Sequence, residues 1–218
     1  MENDLMKNRF KAVFVMLVVT LACMCGCGSE GIVNERPLVK LNPSIAPNYL
    51  GNTVSNVDIA QDLCTRGTDS GQLEYMADHN ATVTFVATPV ISNATPTITI
   101  TIDRYTIDYV ALSDSPNAPP IASETANKTM VLNVSGSGGV FTETVSFVDS
   151  VRKIKYMSDM KSGSYSAMGF NNSGMNTYYG FNNYNAKYTF YGKDNEGQKY
   201  SASASHNFEI GDFDYCKQ

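Results

Sequence analysis

Residues 97–112, TITITIDRYTIDYVAL, carry the strongest strand signal in the chain and limit what it can become. Ile98, Ile100 and Ile102 share one face, and Tyr105, Ile107 and Tyr109 share a face of opposite parity. Successive side chains of a strand point to opposite sides, so β-branched and aromatic residues at every second position describe a half-buried strand. The parity change predicts a bulge near Asp103 and Arg104, because one extra residue restores both halves to one side. Such a strand needs partner strands and a second apolar layer.

The partners are legible at several points. In residues 80–90, NATVTFVATPV, Val83, Phe85 and Ala87 alternate with Thr82, Thr84 and Val86. Residues 129–134 and 139–148 read as strands around the loop Ser135-Gly136-Ser137-Gly138, with Phe141, Val145 and Phe147 directed inward. Residues 186–191 and 198–210 flank Gly192-Lys193-Asp194-Asn195-Glu196-Gly197 and predict a β-hairpin with a long turn. In its second arm Tyr200, Ala202, Ala204, His206, Phe208 and Ile210 face one way and Lys199, Ser201, Ser203, Ser205, Asn207 and Glu209 the other. One apolar and one wet face is what an antiparallel sheet over a single core requires. Residues 113–120, SDSPNAPP, form a loop by their turn residues. Residues 151–160 read either as a strand end or as a short helix, and no window keeps a helical period over three turns. The expectation is an all-β chain, an immunoglobulin-like antiparallel β-sandwich, without the tryptophan of true immunoglobulin domains because the chain has none.

The sandwich is expected over residues 54–218, behind two other segments. Residues 1–27 resemble a bacterial lipoprotein signal. Lys7, Arg9 and Lys11 precede the uncharged apolar run 12–22, which at 11 residues is too short to span a bilayer but suits a secretory leader. Small residues and three cysteines follow. Cys27, with Gly26 before it and Met24 three back, is the first choice for lipidation; Cys23, after Ala22, is the alternative. A plain secretory signal or an uncut anchor is the competing reading, and Met6 suits a start just ahead of the basic residues. Residues 28–53 contain Pro37, Pro43 and Pro47 and are expected to form an extended linker, since proline fixes φ and lacks an N–H.

The net charge is −5, and the leader through Gly26 has three basic and two acidic residues, so the remainder is near −6. Scattered charges on an acidic body do not suit nucleic acid, which needs clustered Lys and Arg. The membrane partner is expected to be reached through the N-terminal lipid. Cys64 and Cys216 would be exported to a compartment that permits a disulfide. A bridge between them would be worth on the order of 4–5 kcal/mol in the chain-entropy model. The competing reading is two free thiols.

The stretches ITIDRYTIDYV, FTETVSFVDSVRKIKYM and AKYTFYGKDNEGQKYSASASHNFEIGDF are similar to a recurring pattern in lipoproteins of deltaproteobacterial type. There a strand I-x-x-Y-x-V-x-Y precedes a proline-containing loop, and the chain closes with a hairpin A-x-x-T-F-x-G-x-D-x-x-G and I-x-x-G-x-F. The resemblance covers roughly residues 60–215 and departs at the Asn- and Tyr-rich insertion 163–185. It implies the sandwich and a bacterial envelope location, with outer-membrane sorting favoured by Gly28 after Cys27. It implies no activity.

Catalysis finds little support, so the chain is read as no enzyme and as needing no cofactor. No Gly-x-Ser-x-Gly elbow occurs, and no His or Cys pair stands at zinc spacing. His79 is expected in a solvated turn, and His206 as a packed core or rim residue of the hairpin face. Asp194, Asn195 and Glu196, and the C-terminal Glu209, Asp212 and Asp214, supply oxygen ligands but no calcium loop; Asp-Asn-Glu-Gly is also ordinary turn chemistry. The segment best suited to contact something is 165–184, YSAMGFNNSGMNTYYGFNNY. Tyr165, Phe170, Tyr178, Tyr179, Phe181 and Tyr184 offer rigid contact area, and Asn171 and Asn172 adaptable hydrogen bonds. A protein or a glycan would suit such a loop; the competing reading is that its aromatics fold back on the sandwich.

Overall fold

Val39–Tyr49 alternates inward and outward through two prolines. It forms strand β1 in the computed structural model, which describes residues 38–59, 70–72, 77–90, 97–167 and 180–213. The chain divides into two units, Met1–Arg36 and Pro37–Gln218, and every described residue belongs to the second. The finding shortens the linker expected over 28–53, whose second half is sheet. Val39, Leu41, Pro43, Ile45, Pro47 and Tyr49 point to the core side. The prolines fit because of which way their missing N–H would face. The Leu38 carbonyl accepts from Val90 N on the neighbouring strand, whereas the Pro47 carbonyl accepts from Val54 N on the opposite edge. Odd-numbered backbone groups of β1 therefore face away from its long partner, and Pro43 and Pro47 interrupt no ladder bond.

The strands that follow are β2 (Asn52–Thr53), β3 (Asn56–Asp58), β4 (His79–Pro89), β5 (Ile98–Ala111), β6 (Glu124–Val134), β7 (Gly139–Val148), β8 (Asn182–Asp194) and β9 (Lys199–Gly211), with helix α1 (Ser150–Lys161) between β7 and β8. One sheet has the order β2-β1-β4-β7 and the other β3-β9-β8-β5-β6. Pairing is antiparallel except that β3 runs parallel to β9. The inner faces meet through aromatic pairs, Phe85 against Phe190 and Phe147 against Phe208, each with ring centroids 4.9 Å apart and edge to face. This is the expected all-β sandwich.

Both bulges change parity for a reason. The register shifts between Ile102 and Arg104, so Ile100 and Ile102 are buried and then Tyr105 and Ile107. A second shift pairs His79 with Val148 and Asn80 with Ser146, which leaves Phe147 as the extra residue and turns both Phe147 and Val148 inward.

The four-stranded sheet would present raw edges, and side chains of the other sheet cover them. On β7, Ser146 N donates to the Tyr105 hydroxyl at 3.1 Å and the Ser146 carbonyl accepts from Tyr188 at 2.6 Å. The carbonyl of the bulged Phe147 accepts from Tyr109, and that of Thr144 from Lys128. Along β1, Tyr200 accepts from the Leu38 and Val39 backbone and the His206 ring bonds the Ile45 backbone. Buried polar backbone thus finds partners without another strand.

Helix α1 resolves the ambiguity over 151–160. Asp149 caps it, its Oδ1 accepting from Arg152 N at 2.8 Å. Lys153, Tyr156 and Met160 turn inward at helical spacing. A lysine on the inner face is what hid the period.

Candidate functional site

Helix α1 and one end of the sandwich hold the chemistry of this chain. The ends of β1, β5, β7 and β9 and the starts of β4, β6 and β8 meet there. The end also holds the neck of the Tyr- and Asn-rich segment. The described chain reaches Ala167 and resumes at Gly180, so Phe170, Asn171, Asn172, Tyr178 and Tyr179 lie outside the described residues.

The neck is tied at every step. Asn182, buried, donates from Nδ2 to the Tyr156 hydroxyl at 2.6 Å and to the Ser166 carbonyl at 3.2 Å. Ser166 N donates to the Asn117 carbonyl at 3.1 Å. Asn183 N donates to Ser115 Oγ at 2.9 Å, and its Nδ2 to Asp114 Oδ2 at 2.9 Å. Residues 113–120, 162–167 and 180–183 are thereby joined, and the proline-containing loop braces the neck. Burial pushes the Tyr156 hydroxyl up to about 12, so it stays protonated and serves as a structural partner.

Three of the expected contact residues fall on this neck. Phe181 is 36% exposed and stands beside the gap in the described chain. Tyr165 is half-buried against the core. Tyr184 is corrected: it lies in β8, is buried, stacks on Phe208 at 5.6 Å and donates to the Pro119 carbonyl. A side chain so enclosed offers no surface to a ligand. Its even position in β8 points inward with Ala186, Tyr188 and Phe190.

One turn earlier on the same inner face of α1 lies a polar cluster that sequence reasoning missed. Lys153 is 1% exposed; its Nζ donates to the Ala77 carbonyl at 2.6 Å and lies 5.3 Å from the Tyr49 ring centroid. Burial lowers its pKa to about 8, partly offset by the charges of Asp58 and Asp78. His79 is wholly buried, not solvated as expected, and stacks on Tyr49 at 4.3 Å. Burial and then the Lys153 charge lower its pKa to about 3, so the ring is neutral at ordinary pH. Asp58 accepts from Phe213 N at 3.0 Å and Asp78 from Ser150 N at 2.6 Å. The signal available in the letters was the spacing of Lys153, Tyr156 and Met160 behind an aspartate cap. Chemically the cluster fixes α1 to the ends of β1 and β3 and the start of β4.

The other expected residues are placed as follows. His206 is a half-buried rim residue, 3.0 Å from Ser55 Oγ through Nε2. Asp194 turns inward; its Oδ1 accepts from Glu196 N and Gln198 N, each at 2.9 Å, and Oδ2 accepts from Tyr200 at 3.3 Å. Its carboxylate is thereby used by the hairpin turn. Among the described residues no group of three His, Cys, Asp or Glu could hold a metal ion. Cys23, Cys27, Cys64 and Cys216 lie outside the described residues. Among the described residues no helix is long and apolar enough to cross a membrane.

No family model matches the chain, and no curated protein matches it. A solution structure of a candidate late embryogenesis abundant (LEA) protein is similar at 13% identity and a TM-score of 0.36, covering 93% of this chain and 86% of that one. Nothing about fold or function is drawn from a likeness at that score.

Proposed function

We propose that this chain is a lipid-anchored bacterial envelope protein, held at the outer membrane through Cys27, with Cys23 as the alternative, whose sandwich is a non-catalytic interaction module. The anchoring rests on the basic, apolar and cysteine-ended order of residues 7–27. The observation that carries the interaction reading is the tied neck. Ser166 and Asn182 are clasped to each other, and through Tyr156 to α1. The described residues on either side of 168–179, the segment that carries Phe170, Tyr178 and Tyr179, are therefore held together on the scaffold. That is how binding segments are commonly mounted.

The partner in this reading is another envelope protein. A second reading, a carbohydrate-binding or adhesive module, is favoured by the asparagines interleaved with the aromatics of the same segment. Replacing 168–179 by a short glycine-serine bridge tests both. Loss of cross-linked neighbours in the native envelope with unchanged glycan-array binding supports the protein partner. Loss of glycan binding supports the second reading. Retention of every contact overturns both.

A disulfide between Cys64 and Cys216 belongs to the same proposal, and the fold supports it. β3 and β9 run parallel and adjacent, with Asp58 opposite Gly211. Ile59 N donates to the Gly211 carbonyl at 2.9 Å. In sequence Cys64 stands five residues after Ile59 and Cys216 three after Phe213.

A further inference from the structure

The bulge in β5 shapes a second feature, at the opposite end of the five-stranded sheet from the neck. There Asp103, Arg104, Tyr191, Gly192, Lys193 and Lys199 line an open groove of about 470 Å³. The size falls within the range of small-molecule sites.

Its charge is the unusual part. The chain carries a net −5, yet three cations gather here against one acid, Asp103. Lys193 and Lys199 are directly opposite each other on β8 and β9. Like charges in that register destabilise a strand pair. Among the described residues Arg104, Lys193 and Lys199 make no ion pair that would offset this crowding. Asp194, adjacent in sequence to Lys193, is turned inward by the hairpin turn and cannot serve.

The groove is also shaped in advance. Arg104 lies over the Tyr191 ring, its guanidinium carbon 4.6 Å from the centroid, a contact that restrains the guanidinium within the groove lining. Gly192 leaves the floor without a side chain. A Cβ there would lie 2.3 Å from the Thr101 carbonyl, so the bulged strand itself demands the glycine.

We infer that this groove binds a phosphate group carried on a small organic body. A guanidinium with two flanking ammonium groups, set against one carboxylate, matches a tetrahedral dianion better than a single carboxylate ligand. The volume leaves room beside the phosphate for a further group of about sugar size. That body could be free in solution or be the head of a lipid, and the chemistry recognised is the same. This site stands apart from the neck and does not depend on the function proposed for it.

The test is calorimetric titration of the full chain in a neutral detergent with glucose 6-phosphate and with detergent-dispersed phosphatidate. Glucose and phosphatidylcholine serve as controls. Saturable binding of glucose 6-phosphate supports the inference and assigns a soluble ligand; saturable binding of phosphatidate alone supports it and assigns a lipid headgroup. In either case Arg104→Ala and Lys199→Ala are expected to weaken binding about tenfold each, as loss of a charge-assisted hydrogen bond implies. Lys187→Ala, exposed on the same sheet outside the groove, is expected to bind as the parent does. All three positions are exposed, so unchanged melting checks the fold. No saturable binding to either phosphate probe, binding matched by the controls, or binding indifferent to Arg104→Ala and Lys199→Ala would overturn it.

Discussion

His79 and Lys153 are both bases whose pKa burial lowers, so both make stability rise with pH, each in its own window. An unfolded histidine takes a proton near 6.5, while the buried ring resists until about 3. Between those values the unfolded chain binds more protons, so stability falls as pH drops below about 6.5. His79→Phe, which keeps a ring on Tyr49, is expected to flatten that loss in urea titrations between pH 6.5 and 4, by on the order of a few kcal/mol. An unchanged acid slope would mean another group carries it. For Lys153 the folded value of about 8 lies below the ordinary 10.5, so the unfolded chain again holds more protons in between. Stability is therefore expected to rise from pH 8 to about 9.5, before tyrosines of the unfolded chain ionise, and Lys153→Met is expected to abolish the rise. Neither residue was legible as buried. A histidine beside Asp78 reads as a turn, and a lysine between Arg152 and Ile154 reads as surface.

The free edge of β7 depends on hydroxyl groups from β5 and β8. Tyr105 and Tyr188 together satisfy both backbone groups of Ser146, and Tyr109 the carbonyl of Phe147. Tyr188→Phe leaves the half-buried Ser146 carbonyl without this partner and is expected to cost about 1 kcal/mol in chemical denaturation. Tyr200, at the rim facing β1, is half of the corresponding arrangement on the other edge. A Tyr188→Phe variant as stable as the parent would mean that water serves this edge equally well. The hairpin of β8 and β9 and the bulge at Asp103 were readable because period two survives in the letters and the parity change marks the inserted residue. β1 was not. Pro43 and Pro47 read as breakers, and only the direction of their absent N–H, outward from β4, shows that they fit. The neck was legible only as composition; that Asn182 and Ser166 close it depends on contacts distant in sequence.

At the scale of the whole molecule, two features join the sandwich to what surrounds it. β3 and β9 run parallel and adjacent, and Cys64 and Cys216 follow in sequence after their C-terminal ends. Non-reducing peptide mapping is expected to recover the two cysteines in one bridged fragment, and a variant lacking both to melt lower, by on the order of 2–5 kcal/mol of stability. Two freely alkylated thiols in unfolded, oxidised protein would refute the bridge. The placement of the chain itself turns on the leader. Intact-mass and N-terminal peptide mass spectrometry of the protein taken from the cell envelope measures that directly. A chain that begins at Cys27 and carries a diacylglycerol and a further acyl group is expected, and a Cys27→Ser variant without them. A chain that retains Met1 or Met6, with its cysteines unacylated, would contradict it.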